Sequence, residues 1–296
     1  MVVYLDAKSD IAFKKLFGNI AHKEVLISFL NSVLERVGGS RIIDVVINDP
    51  TNVPDTPLSK MSIVDVRCTD QSGNQYIVEM QVVPQKYYAA RAQYYSSLAL
   101  GRQLSFGQGY NELVPVIFVG ILDFELFENP KYLTHHFILD GETYVRELHH
   151  LEFHFIELDK FYKQEAELQT TLDKWIYLLK YSGIMQSAPE SFKEQELEVA
   201  LGVLAQSNWS VKELEAYDRY LDAMRSAVGQ LEMAEALGLA RGEARGEARG
   251  EARGEARAKE QLALNALKVG LDIVTVSQII GLSIEQVQEL QKKSSV

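Results

Sequence analysis

Apolar positions in the first half of the chain change period several times, and each change marks an element. Over residues 9–37, Ile11, Phe13, Leu16, Phe17, Val25, Phe29, Leu30, Val33 and Leu34 recur at helical spacing, which predicts a helix with a break near Gly18-Asn19. Ser9 or Asp10 can cap its start, and Gly38-Gly39 stops it. The β-branched run over 41–47 predicts a strand, and Pro50, Pro54 and Pro57 predict a loop over 48–61. Apolar and polar residues then alternate over 62–69 and 75–83, as in two strands joined by a turn over 70–74. Residues 86–106 read as a helix, and the unbroken apolar run over 114–122 reads as a strand covered on both faces.

Further along, strands are expected over 134–139 and 144–148 around a turn at Asp140-Gly141, with another over 151–158. From Phe161 onward the pattern is helical: Leu172, Trp175, Ile176 and Leu179 make one apolar stripe, and Ser210 with Glu213 forms a capping box. These patterns divide the chain into a mixed domain over 1–160, a helical region over 161–232, a repeat over 233–258 and a small helical tail over 259–296.

The repeat reads ARGE in tandem over 240–257, with glycine at 238, 242, 246, 250 and 254. A period of four sets Arg241 against Arg245 and Glu243 against Glu247, so each i,i+4 pair joins like charges. Each glycine costs a helix up to about 1 kcal/mol relative to alanine. The segment is therefore read either as a linker or as a helix that dimerises through its glycine row. The tail pattern, a helix ending before Gly281 and another opening at Ser283, is similar to a helix-turn-helix unit.

Composition narrows the class. Hydrophobic residues make up 47% of the 296 positions, enough for a sizeable core. The opening MVVYLDAKSD does not read as a secretory signal, and the longest apolar run is too short to cross a bilayer. A lone cysteine, Cys68, excludes an intrachain disulfide framework, so a reducing cytoplasm is the expected setting. The net charge of −11 argues against broad affinity for nucleic acid. Between Gln85 and Gln108, however, Lys86, Arg91 and Arg102 occur with no acid, so a DNA-facing patch can sit there.

Candidate chemistry lies in the hairpin SIVDVRCTDQSGNQYIVEMQVV, residues 62–83. A three-residue loop, Gln71-Ser72-Gly73, sets a register in which Asp65 lies opposite Glu79. Such Cβ atoms stand roughly 4.5–5.5 Å apart, and two carboxylates there repel unless a cation lies between them. Mg²⁺, with its preference for hard oxygen ligands, suits one or two carboxylates completed by water and phosphate. The plainer reading has both acids facing solvent.

The order α-β-β-β-α-β, with Asp65 and the Glu79-Met80-Gln81 element on successive strands, resembles the PD-(D/E)XK nuclease core. Four segments resemble the Rpn family of recombination-promoting nucleases and putative transposases within it: DAKSDIAFKKLFGN at 6–19, IVDVRCTDQSGNQYIVEMQ at 63–81, RAQYYSSLALGRQL at 91–104 and YNELVPVIFVGILDF at 110–124. The resemblance implies an α/β (α+β) restriction-endonuclease-like fold with a β-hairpin extension and a helical C-terminal region. It implies Asp65 and Glu79 as ligands of Mg²⁺ or Mn²⁺, with the Met80 backbone carbonyl as a third. It puts Gln81 where the superfamily has lysine, Asp10 as an extra acid, and Arg91, Gln93 and Tyr95 on the helix beside the site. The implied activity is metal-dependent hydrolysis of DNA in recombination, mobile-element movement or defence. Gln81 carries no charge, which favours the alternative of a DNA- or protein-binding module on a nuclease fold.

His135, His136, His149, His150 and His154 also cluster, which suggests zinc. Adjacent residues on a strand point to opposite faces, and no HExxH or cysteine partner is near, so they are read instead as solvent-facing sheet residues.

Overall fold

The computed structural model describes residues 2–49, 51–52 and 62–294. It divides into two compact units, Met1–Ala227 and Val228–Val296.

In the first unit the predicted N-terminal helix is two: α1 (Asp10–Phe17) and α2 (Lys23–Val33), broken at Gly18-Asn19. Ser9 caps α1 by accepting the Ala12 N–H at 3.2 Å. The strands follow as β1 (Val45–Asn48), β2 (Thr51–Asn52), β3 (Ser62–Ile63), β4 (Val66–Asp70), β5 (Gln75–Gln81), β6 (Val116–Leu122), β7 (Leu133–Ile138) and β8 (Leu148–Glu157). Helix α3 (Tyr88–Gly101) links β5 to β6. Helices α4 (Thr171–Tyr181) and α5 (Gln195–Leu204) come next, and α6 (Val211–Lys268) runs from the first unit into the second. The proline loop expected over 48–61 falls mostly outside the described residues.

Six strands form one sheet in the order β1-β4-β5-β6-β8-β7, and β2 pairs with β3 separately. β4 and β5 are antiparallel, whereas β5, β6 and β8 run parallel. Parallel strands need covered faces, and β6 is buried at every position. On one face α3 packs Tyr88, Ala92, Tyr95 and Ala99 against Ile77, Phe118 and Phe155. On the other, α1, α2, α4 and α5 cover Cys68, Tyr76, Val78, Ile117 and Val119. Trp175 of α4 reaches across that layer, donating to Ser28 Oγ at 3.2 Å beside Phe17 and Phe29.

The core of the first unit runs across residue 160. Phe161, Leu168, Trp175 and Leu197 belong to the same core as Phe13 and Val78, because the sheet's second face has no other cover. The chain start is tied to α5 as well: Leu5 N–H donates to Leu204 O and Gln206 N–H to Val3 O, both at 2.9 Å.

Residues 144–147 do not form the expected strand. Asp140 accepts from the Glu142 and Thr143 N–H groups and the Thr143 hydroxyl, and Tyr144 takes φ +57°. This Asx-type turn consumes the segment, and the long strand β8 begins only at Leu148.

The second unit holds the later part of α6 with α7 (Ile273–Ile280) and α8 (Ile284–Ser294). Ala263, Val276 and Val287 are its buried centre. Asp272 caps α7, and Gly281, at φ +74°, ends it in the left-handed region. The ARGE repeat is helical as part of α6, and its side chains are exposed.

Candidate active site

The β4–β5 hairpin positions the site. Asp70 N–H donates to Asn74 O at 3.0 Å, which closes the loop Gln71-Ser72-Gly73, and Gly73 takes φ +87° as the tight turn requires. The Asp70 carboxylate then fastens the loop by accepting from Ser72 N–H, Asn74 N–H, the Asn74 amide and the Tyr76 hydroxyl. The register pairs Val66 with Val78, Arg67 with Ile77 and Cys68 with Tyr76.

Past Val66 the ladder stops. The expected single strand over 62–69 is interrupted, with Val64 and Asp65 outside any strand. Two residues apart on one strand, Val64 and Val66 would share a face. Instead Val64 packs into the core under α3 and Val66 into the opposite core. Asp65 sits at this crossing, so it is not a ladder partner of Glu79 as the simple register predicts. Its Oδ2 accepts the Met80 N–H at 2.8 Å. Hydrogen-bonded pairs alternate along an antiparallel ladder, so in an unbroken strand that N–H would meet the Val64 carbonyl. The break thus substitutes a carboxylate for a carbonyl on the edge of β5.

Glu79 lies on β5 facing α3 and is 3% exposed. Burial pushes its carboxyl up to about 7; Arg91 opposes this, and the charge of Asp65 adds to it. Burial likewise raises Asp65, against the lowering effects of the Met80 N–H, Lys14 and Arg91. The charge of Asp65 therefore reaches Glu79, and Arg91 acts on both. Arg91 Nη2 donates to Glu79 Oε2 at 3.1 Å and to Gln81 Oε1 at 2.8 Å. The Tyr88 hydroxyl lies 3.5 Å from the same Glu79 oxygen. Gly120 is the β6 neighbour of Glu79, and a Cβ there would stand 3.1 Å from the Tyr88 hydroxyl, so only glycine leaves Tyr88 this room.

The other expected site residues divide. Tyr95 is buried with its ring 5.8 Å from the Arg91 guanidinium, so it belongs to the site. The charge of Asp10 helps raise Asp65. Asp10 pairs with Lys14 at 2.6 Å, and Lys14 Nζ is 3.9 Å from Asp65 Oδ1. Gln93 lies away from Glu79, in a cavity of about 250 Å³ lined by Phe127, His136, Phe153 and Phe155. Lys86 is exposed, with its amine over the Tyr87 ring. Arg102 follows the last residue of α3, near enough to Arg67 to lower its pKa beyond the effect of burial.

Lys14 and Tyr88 were not singled out by sequence. The signal for Lys14 was its place four residues after Asp10, on the same helix face. Beyond β6, Asp123 N–H donates to Gln81 O at 3.0 Å, and the Asp123 carboxylate holds Lys8 at 2.8 Å. These two line a cavity of about 510 Å³ with Asp6, Asp159, Lys180 and Tyr217.

The fit to a metal is limited and specific. Among the described residues no three His, Cys, Asp or Glu side chains come together to hold an ion. A cation here would rest on Asp65, Glu79 and backbone oxygen, a donor set that suits Mg²⁺ or Mn²⁺ and not zinc.

The sequence model of the PD-(D/E)XK nuclease family transposases matches residues 7–234. The chain belongs to this family. The match takes in Asp10, Asp65, the strand that carries Glu79, α3 and the helices on the sheet's second face. No curated protein and no solved structure matches the chain significantly. The sheet and its surrounding helices fit the PD-(D/E)XK fold, and nucleases of this kind generally use divalent metals. Among the described residues, no helix is long and apolar enough to cross a membrane.

The histidines need correction. His154 is buried, not solvent-facing, and its Nδ1 lies 2.6 Å from His135 Nδ1. Burial would raise Glu152, but hydrogen bonds from His154 and Arg146 hold it down to about 2. His149 and His150 are exposed. The burial arises because β8 carries His154 onto the α2 side of the sheet, where β7 and the residues after α2 enclose it.

Proposed function

We propose that this chain is a divalent-metal-dependent DNA endonuclease, with Mg²⁺ or Mn²⁺ held by Asp65, Glu79 and the Met80 carbonyl. One observation carries the reading: the half-buried Asp65 and the buried Glu79 come from adjoining segments around the Met80 peptide, and the charge of Asp65 adds to the burial that pushes Glu79 up. Such a pair costs stability when ionised, and a shared cation offsets that cost. When bound, the cation supplies Lewis-acid polarisation of the phosphate. Met80 N–H orients Asp65, while Arg91 and the Tyr88 hydroxyl orient Glu79. Lys86, exposed, is a cation available to the flanking phosphates of a DNA strand. Family membership favours a role in recombination or mobile-element movement.

Supercoiled plasmid incubated with the protein and Mg²⁺ or Mn²⁺ tests this. Nicking or linearisation is expected, abolished by chelator, by Asp65→Ala and by Glu79→Ala. DNA binding without cleavage in either metal would favour the second reading, a binding module, for which the uncharged Gln81 is the specific argument.

A further inference from the structure

Gln81 has no charge, and its amide is also occupied. Its Nε2 donates to Val83 O at 3.0 Å, and its Oε1 accepts from Arg91 at 2.8 Å. It has therefore become a support for a cation. Arg91 enters from α3, with Nη1 on Gln85 at 2.6 Å and Nη2 shared between Glu79 and Gln81. The faces of Tyr88 and Tyr95, 4.9 and 5.8 Å from the guanidinium carbon, restrict its plane. Its Nε is buried and has no hydrogen-bond partner among the described residues. With Nε enclosed, the guanidinium meets an anionic oxygen of the substrate through its Nη groups, on a side chain that is 27% exposed.

We propose that Arg91 is the catalytic cation of this centre, delivered from α3 to the scissile phosphate in place of a lysine at position 81. The inference rests on the nuclease reading above and deepens it. Charge developing on the phosphate oxygens is stabilised by the guanidinium, which donates hydrogen bonds and transfers no proton. Lys14 is the competing cation, but it is bound to Asp10 at 2.6 Å and stands 3.9 Å from Asp65. Among the described residues, Arg91 is the cation whose side chain bonds both Glu79 and Gln81.

The test is a charge relocation in the full chain. Arg91→Met should slow plasmid cleavage by about 10²–10³-fold, the usual cost of one preorganised electrostatic donor. Adding Gln81→Lys to Arg91→Met should recover much of the loss, and guanidinium ions should rescue Arg91→Ala in proportion to their concentration. Mn²⁺ titrated calorimetrically should still bind Arg91→Met, whereas Asp65→Ala should lose binding. Wild-type cleavage by Arg91→Met would overturn the assignment. So would rescue of Lys14→Met, and not of Arg91→Met, by Gln81→Lys. Loss of Mn²⁺ binding in Arg91→Met, with no rescue from either source, would reduce Arg91 to a positioning residue for Glu79. A wild-type protein that never cleaves would instead defeat the nuclease reading, and this assignment with it.

Discussion

Asp65 accepts the Met80 N–H at 2.8 Å, in the place where an unbroken strand would offer the carbonyl of Val64. The ladder of the hairpin ends so that a carboxylate can occupy its edge, beside the buried Glu79. Bulges and breaks of this kind re-aim a side chain at the cost of a ladder bond.

Asp65→Asn separates charge from shape. Asparagine keeps an oxygen that can accept the Met80 N–H, so the thermal midpoint should stay at or above the wild-type value, since burial disfavours the charged aspartate. Cleavage should fall by more than about 10²-fold, because a metal ligand carrying charge is lost. Thermal melts alongside plasmid assays check both. A large fall in the melting midpoint would show that the charge itself supports the fold.

Gly120 should not tolerate a side chain. A Cβ there would meet Phe155 at 3.0 Å and Phe118 and the Tyr88 hydroxyl at 3.1 Å, all in the packed layer under α3. Gly120→Ala should cost about 1–3 kcal/mol by overpacking and displace Tyr88 from Glu79. Urea denaturation measures the first effect. Reduced cleavage by the folded fraction measures the second, and a neutral substitution would refute the close approach.

Acid stability should depend on Glu152. Its carboxyl is held down to about 2 while the ordinary glutamate value is 4.5, so its contribution is complete above 4.5 and is lost as pH falls from there toward 2. His154, Arg146, Arg36 and His135 are charged or titratable groups that face it among the described residues. Glu152→Gln should destabilise the protein by about 1–3 kcal/mol at pH 7, through the partners left behind. The gap to wild type should narrow as pH falls through that window. Denaturation curves across pH would reveal a constant gap if the pairing carried no weight.

The ARGE glycines should be replaceable with gain. At Gly242, Gly246, Gly250 and Gly254 an added Cβ meets nothing within 4 Å. Alanine at all four should strengthen the helix by up to about 1 kcal/mol each. Far-ultraviolet circular dichroism should show higher helicity that persists to higher temperature. Lower helicity would mean that the glycine row serves a contact between chains.

Much of the site was legible in the sequence because it depends on local rules. The loop at Gly73 and the pairing parity of Val66 with Val78 follow from alternation and turn chemistry. The break at Val64 and Asp65 did not, because Val64, Asp65 and Val66 alternate as perfectly as any strand; only the presence of two cores, one on each face, separates the valines. Arg91 stood out as a base on a helix, but its contact with Gln81 joins elements ten residues apart through the packing of α3. His154 was misread for a related reason: its burial comes from β7 and the end of α2, which pattern along β8 cannot report. Tyr144 at positive φ shows the reverse case, a local side-chain bond at Asp140 overriding a β-branched pattern.

The central claim is that one cation bridges the Asp65 and Glu79 carboxylates, and crystals soaked in Mn²⁺ test it most directly. The anomalous difference map should hold a peak within bonding distance of both carboxylates and the Met80 carbonyl, and Asp65→Asn should abolish it. A peak bound to only one of them, or ordered manganese elsewhere with this site still bridged by Arg91, would contradict the account.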